Sequence, residues 1–163
     1  EEVRYELMEG ELVMAPSPIP YHQEISQNLF HILRDYAQFQ GLGKVYYAPL
    51  DVVLSPEDVL QPDLLFIAKE RLGIIGEKNI EGAPDLVIEV LSSATAERDR
   101  GLKRRIYAKY GIKEYWLGDG ERGTIEVLTL GKAGLESIGV YRRGTPLKSP
   151  LLPGLSLDAE QIF

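Results

Sequence analysis

The sequence predicts an α+β fold, with a central, mainly antiparallel sheet flanked by helices and a β-hairpin at the N-terminus. Three observations lead there. Between residues 21 and 40, Ile25, Leu29, Ile32, Leu33 and Tyr36 recur at spacings of three and four, the apolar stripe of an amphipathic helix. Short runs rich in branched and aromatic residues, among them "KVYYAPLDVVLS", "DLLFIA" and "DLVIEVL", read as strands. The second half alternates strand-like runs with Gly-containing turns, through "KEYWLGD", "GERG", "TIEVLTL", "GKAG" and "LESIGVYRR", which predicts an antiparallel continuation.

Taken in order, "YELMEGELVM" alternates about a Glu-Gly turn, as a hairpin does, and ends at the helix-hostile "APSPIP". The helix follows and "GLG" stops it. Two strands come next, separated by the turn-like "SPEDVLQP", and residues 69 to 83 form a polar connection. "SSATAERD" supplies N-cap hydroxyls for a second helix, "RDRGLKRRIYAKYG". There Leu102, Ile106 and Tyr110 fall at four-residue steps before Gly111 closes the helix. That stripe places Lys103 at its border and turns Arg104 and Arg105 toward solvent. The tail, "TPLKSPLLPGLSLDAEQIF", is expected to pack across the surface. With no internal repeat or linker, residues 1–163 are expected to form a single domain.

Composition narrows the chemistry. No apolar stretch approaches the roughly 20 residues that span a bilayer, and "EEVRYELMEGELV" lacks the pattern of a secretory signal, so a soluble cytoplasmic protein with no membrane association is expected. Cysteine is absent, which excludes disulfides, thiolate nucleophiles and Cys-ligated zinc. Only His22 and His31 are present, against 25 acidic residues, so a bound metal would be a hard cation held by oxygen. The net charge of −7 argues against sequence-independent attraction of nucleic acid to the whole surface. Residues 98–113 are the exception, with seven basic residues against Asp99 alone. Taken by itself, such a run reads as a solvated helix face.

One acid sits where folding alone would not put it. Glu89 lies within Leu86, Val87, Ile88, Val90 and Leu91, a run that reads as a strand buried on both faces. If "DLLFI" and "PDLVIEV" are antiparallel neighbours and Ile67 lies near Leu86, Asp63 lies near Val90 and within one position of Glu89. Register decides whether the two carboxylates share a face. A pair that does so holds a cation or a proton between its members. Asp85, roughly 13 Å along the strand from Glu89, is too far to share an ion and is expected to be a structural strand entry. Lys103, on the following helix, can reach the strand ends along its stem; the bland alternative is an Asp99–Lys103 helix pair.

"QPDLLFI", "GAPDLVIEVLSSAT" and "DRGLKRRIYAKYGIKEYWL", together with "YELMEGELVMAPSPIPYHQEI" and "LPGLSLD", resemble the bacterial Uma family of restriction-endonuclease-like proteins in the PD-(D/E)XK phosphodiesterase superfamily. The resemblance covers nearly the whole chain. It implies a restriction-endonuclease-like core: a helix, a three-stranded antiparallel meander, a second helix and a further strand. Pro62 and Asp63 match the Pro-Asp of the superfamily motif, and Glu89 matches its second acid. The motif's lysine position holds Leu91, and Lys103 is the candidate for a lysine moved to the next helix. By the same resemblance, Asp63, Glu89, the Val90 carbonyl and Glu24 would hold Mg²⁺, with Mn²⁺ as a substitute. His22 is an alternative polar group on the same helix start, for which capping or packing there is the expected role. Asp63, Glu89 and Lys103 would be catalytic, and Arg104 and Arg105 would contact the DNA backbone. The implied activity is Mg²⁺-dependent endonucleolytic hydrolysis of DNA phosphodiesters, a homodimer being the simplest way to cut both strands. The alternative is a catalytically weak or inactive nucleic-acid-binding or accessory protein of the same fold.

Overall fold

The strand Leu86–Val90 is the axis of the structure because apolar side chains cover both of its faces. The structure, a computed structural model, describes residues 3–163. In chain order the elements are β1 (Arg4–Met8), β2 (Glu11–Ala15), α1 (Pro20–Gln40), β3 (Gly43–Tyr47), β4 (Val52–Ser55), β5 (Asp58–Leu60) and β6 (Leu64–Ala68). A 3₁₀ turn (Lys69–Ile74) leads to β7 (Ile80–Glu81) and β8 (Leu86–Val90). Then come α2 (Ala96–Arg100), α3 (Leu102–Lys109), β9 (Glu114–Asp119), β10 (Thr124–Gly131), β11 (Gly134–Tyr141) and a last 3₁₀ turn (Ala159–Gln161).

The larger sheet has the order β11-β10-β9-β8-β6-β3, antiparallel throughout except for β8 and β9, which run parallel with the α2–α3 crossover between them. Helix, meander (β3-β6-β8), helix and further strand (β9) is the order expected of a restriction-endonuclease-like core. One face, carrying Leu86, Ile88, Val90 and Trp116, packs on Ile25, Leu29, Leu33 and Ala37 of α1. The other, carrying Val87, Tyr115 and Leu117, packs on Ile106 and Tyr107 of α3 and on Met8 and Leu60. A second sheet, β2-β1-β5-β4-β7, leans on this core through Val52 and Ile80, which meet Leu65 and Ile67.

Four expectations change. "KVYYAPLDVVLS" is two strands in two different sheets, parted at 48–51, and the turn-like "SPEDVLQP" contains β5, which pairs with β4 and β1. The second helix breaks at Gly101, where a Cβ would lie 3.1 Å from the Glu97 carbonyl oxygen. Its buried face is then Asp99, Lys103, Ile106 and Tyr107, so Lys103 lies inside the face rather than at its border. The tail is core: Leu147, Leu152, Leu157 and Ile162 are buried with the α1 cluster. Glu114 anchors it, accepting from the Ser149 hydroxyl, the Leu151 N–H and the Trp116 indole.

Asp85 has the structural place expected for it. It is fully buried and accepts from the Ala68 N–H at 2.7 Å, from Lys113 at 2.9 Å and from Arg71 at 3.1 Å. Burial opposes its ionisation, yet the Ala68 N–H and the two cations prevail and hold its pKa below the ordinary 3.8. A depressed pKa contributes stability that is present above the unfolded value and is lost as pH falls through the folded one. Asp85→Asn is therefore expected to lose about 1.5–3 kcal/mol near neutral pH. Urea titrations should show that gap closing as pH drops below about 3.8.

Candidate active site

The register of β6 against β8 pairs Leu64 with Ile88, Leu65 with Val87 and Phe66 with Leu86. Continued by one residue, it sets Asp63 across from Glu89, one position away from the expected facing of Val90. Directly opposed residues of antiparallel strands share a face. Asp63 stands just before β6, where its Oδ2 accepts the Val90 N–H at 2.7 Å. The imidazole of His22, from the first turn of α1, lies over the same place. Its Nε2 is 3.1 Å from the Val90 carbonyl oxygen and 3.4 Å from Asp63 Oδ2. Burial opposes its protonation, but Asp63 and the Val90 carbonyl outweigh that and raise its pKa above 6.5.

Glu89 faces α3. Its Oε1 accepts the Tyr107 hydroxyl at 2.8 Å and lies 3.3 Å from the Lys103 ammonium. Lys103 is only 5% exposed, and its Nζ also meets Glu6 Oε1 at 3.2 Å and Asp99 Oδ1 at 3.5 Å. One buried cation thus serves three buried carboxylates. Around them Tyr115 donates to the Asp99 carbonyl at 2.8 Å, and its ring meets that of Tyr107 edge to face at 5.1 Å. Glu6 is held from the hairpin side, accepting the Gln61 N–H at 2.8 Å. Burial raises the pKa of Glu89 well above 4.5, opposed by Lys103 and reinforced by Asp99, Asp63 and Glu6. Burial alone would lower that of Lys103, but the surrounding carboxylates raise it, so the ammonium keeps its proton.

Among the residues singled out from sequence, Asp63, Glu89, Val90 and Lys103 line one cleft of about 730 Å³. Glu24 does not. Two residues from His22 it lies some 200° round the helix, exposed and outside the cleft, while His22 occupies the position proposed for it. Arg104 is also displaced: its guanidinium donates to the Leu135 carbonyl of β11 at 2.9 and 2.6 Å, on the side of α3 away from the cleft. Arg105 is exposed but likewise outside it. Glu6 and Tyr107 went unassigned, and Asp99 has from the sequence only its helix pairing with Lys103, which is present at 3.5 Å. The Glu6 signal lies in the hairpin's alternation, which puts it on the inward face with Met8. Asp99, Lys103 and Tyr107 are spaced by four, one face of a helix.

Among the described residues, no three Asp, Glu or His side chains converge into a ready-made metal cage. The oxygen donors nevertheless suit Mg²⁺, which uses one or two carboxylates and keeps several waters. The contacts above fall on Asp63 Oδ2 and Glu89 Oε1 and on neither carboxylate's second oxygen, and both residues line the cleft together with Val90. No described helix is long and apolar enough to cross a membrane.

The fold has a close counterpart. A crystal structure of "a putative nuclease belonging to DUF820" from Anabaena variabilis superposes with a TM-score of 0.82, covering 98% of this chain and 89% of its own, at 20% identity. At that identity the likeness is one of fold. No curated protein matches the chain. Residues 1–160, nearly its whole length, match the Uma2 family, described as "Putative restriction endonuclease". The chain belongs to the Uma2 family of restriction-endonuclease-like proteins.

Proposed function

We propose that this protein is a Mg²⁺-dependent nuclease that hydrolyses phosphodiester bonds of DNA at the Asp63–Glu89 cleft. The observation that carries the reading is that Asp63 and Glu89, from adjacent strands, line one cleft, with Glu89 paired to the buried ammonium of Lys103. Asp63, Glu89 and the Val90 carbonyl would hold the ion, which when bound supplies positive charge against the phosphate oxygens. The Val90 N–H fixes Asp63, and Tyr107 fixes Glu89. Lys103 opposes the protonation that burial favours in Glu89 and bridges it to Glu6 and Asp99. Held among three carboxylates, its ammonium acts as a positioning charge. Water attacks phosphorus in line, the bond to the leaving oxygen breaks, and the proton lost by the water passes through solvent to that departing oxygen. A cytoplasmic setting and a two-fold dimer belong to the same reading.

A second reading, a non-cleaving binding protein of the same fold, draws on Arg104, which is engaged with β11 where a DNA contact was expected. Supercoiled plasmid and circular single-stranded DNA, each incubated with Mg²⁺, separate the two. Nicking or cutting of either that stops with EDTA and is lost in Glu89→Ala supports the nuclease. Intact DNA of both forms, or undiminished cutting by Glu89→Ala, contradicts it.

A further inference from the structure

The rim of the cleft is as informative as its floor. Tyr21, at the start of α1, is 39% exposed, and Tyr47, at the end of β3, is 62% exposed. Both rings line the cleft. Each has a built seat. A Cβ at Gly120 would come within 2.8 Å of the Tyr21 ring and of Ile25, so the β9–β10 turn approaches Tyr21 closely only because residue 120 has no side chain. Tyr47 rests edge to face on Phe30 at 4.8 Å. Pro16, Pro18 and Pro49 extend the apolar lining.

Cations are scarce in the same place. Those that line the cleft are Arg4, His22 and Lys103, and each is engaged: Arg4 with the Gln61 side chain at 2.9 Å, His22 with Val90 and Asp63, Lys103 with its three carboxylates. Five carboxylates, of Glu6, Asp63, Glu89, Asp99 and Glu121, share the lining. Duplex binding depends on many phosphate contacts from Lys and Arg. Unpaired strands are held differently, by aromatic side chains on which successive bases stack. The cleft volume, about 730 Å³, is that of a pocket for a small ligand, suited to one or two unstacked nucleotides.

Resting on the nuclease reading for its chemistry, we propose that the cleft takes an unpaired DNA strand, with bases stacked on Tyr21 and Tyr47 and the intervening phosphate at Asp63 and Glu89. Cutting one unpaired strand needs a single site, so on this inference the two-fold dimer of the nuclease reading is not required for cleavage.

Fluorescence anisotropy with a cleavage-resistant phosphorothioate oligonucleotide, as a single strand and as a blunt duplex of the same sequence, tests this in Mg²⁺ buffer. The single strand is expected to bind at least about tenfold more tightly. Between 50 and 200 mM salt its affinity should fall by far less than the roughly 10³-fold typical of proteins making many phosphate contacts. Tyr21→Ala and Tyr47→Ala should each weaken binding roughly 5- to 150-fold. Tyr21→Phe and Tyr47→Phe should keep it, which separates stacking from folding. Equal or tighter duplex binding, no binding of either form, or indifference to both alanine variants overturns the proposal. Single-strand binding that needs both rings, without any cleavage of unmodified DNA, leaves this inference standing and removes the nuclease reading. Duplex cutting without single-strand preference does the reverse.

Discussion

Lys103→Ala is expected to destabilise the protein by about 3–5 kcal/mol, the cost of leaving buried charge without its partner. In a chain of this length that lowers the thermal midpoint by roughly 6–20 °C. Glu6, Glu89 and Asp99 are all buried and all meet the one ammonium, so its removal leaves three carboxylates with neither water nor cation enough to ionise together. Adding Glu89→Gln removes one of those acids, and the double variant should lose less than the sum of the two single losses. Urea denaturation of all three variants gives the answer. A Lys103→Ala protein within about 1 kcal/mol of wild type, the ordinary scale of single substitutions, would mean that the ammonium is not what neutralises the cluster.

Asp63→Asn is expected to lower DNA cleavage by about 10²–10³-fold, the usual effect of removing one preorganised electrostatic group from an active site. Stability should move by only about 0.5–1.5 kcal/mol. The side-chain carbonyl of asparagine can still accept the Val90 N–H, so the change removes the charge and, with it, the pairing with His22. Cleavage rates and urea midpoints measured on the same preparation test both halves. Full activity in Asp63→Asn would remove this carboxylate from the proposed mechanism.

The sequence made the core pattern legible because periodicity reports burial directly. The stripe through Ile25, Leu29 and Leu33 faces the sheet as read, and the apolar run around Glu89 is buried on both sides. Glu89 stood out for the same reason, an acid among residues with nothing polar to offer it. Register was not legible: pairing Ile67 with Leu86 instead of Phe66 with Leu86 is a one-residue difference that two uniformly apolar strands do not encode. The second helix misled because Leu102, Ile106 and Tyr110 form a plausible stripe, whereas the break at Gly101 turns Lys103 and Tyr107 inward with Ile106. Glu6 was hidden for another reason. It reaches Lys103 from 97 residues away in the chain, across a hairpin that belongs to the second sheet, and no local pattern states such a contact. The tail's burial depends likewise on Glu114, whose three acceptor bonds join it to residues far from it in sequence and to Trp116 beside it.

The most direct measurement is anomalous diffraction from crystals soaked in Mn²⁺, the usual stand-in for a hard oxygen-liganded cation. A single strong peak is expected against the carboxylates of Asp63 and Glu89 and the carbonyl of Val90, absent from Glu89→Ala crystals. No peak there, with Asp63 still bonded to the Val90 N–H and Glu89 still bonded to Tyr107 at saturating Mn²⁺, would contradict the proposed site.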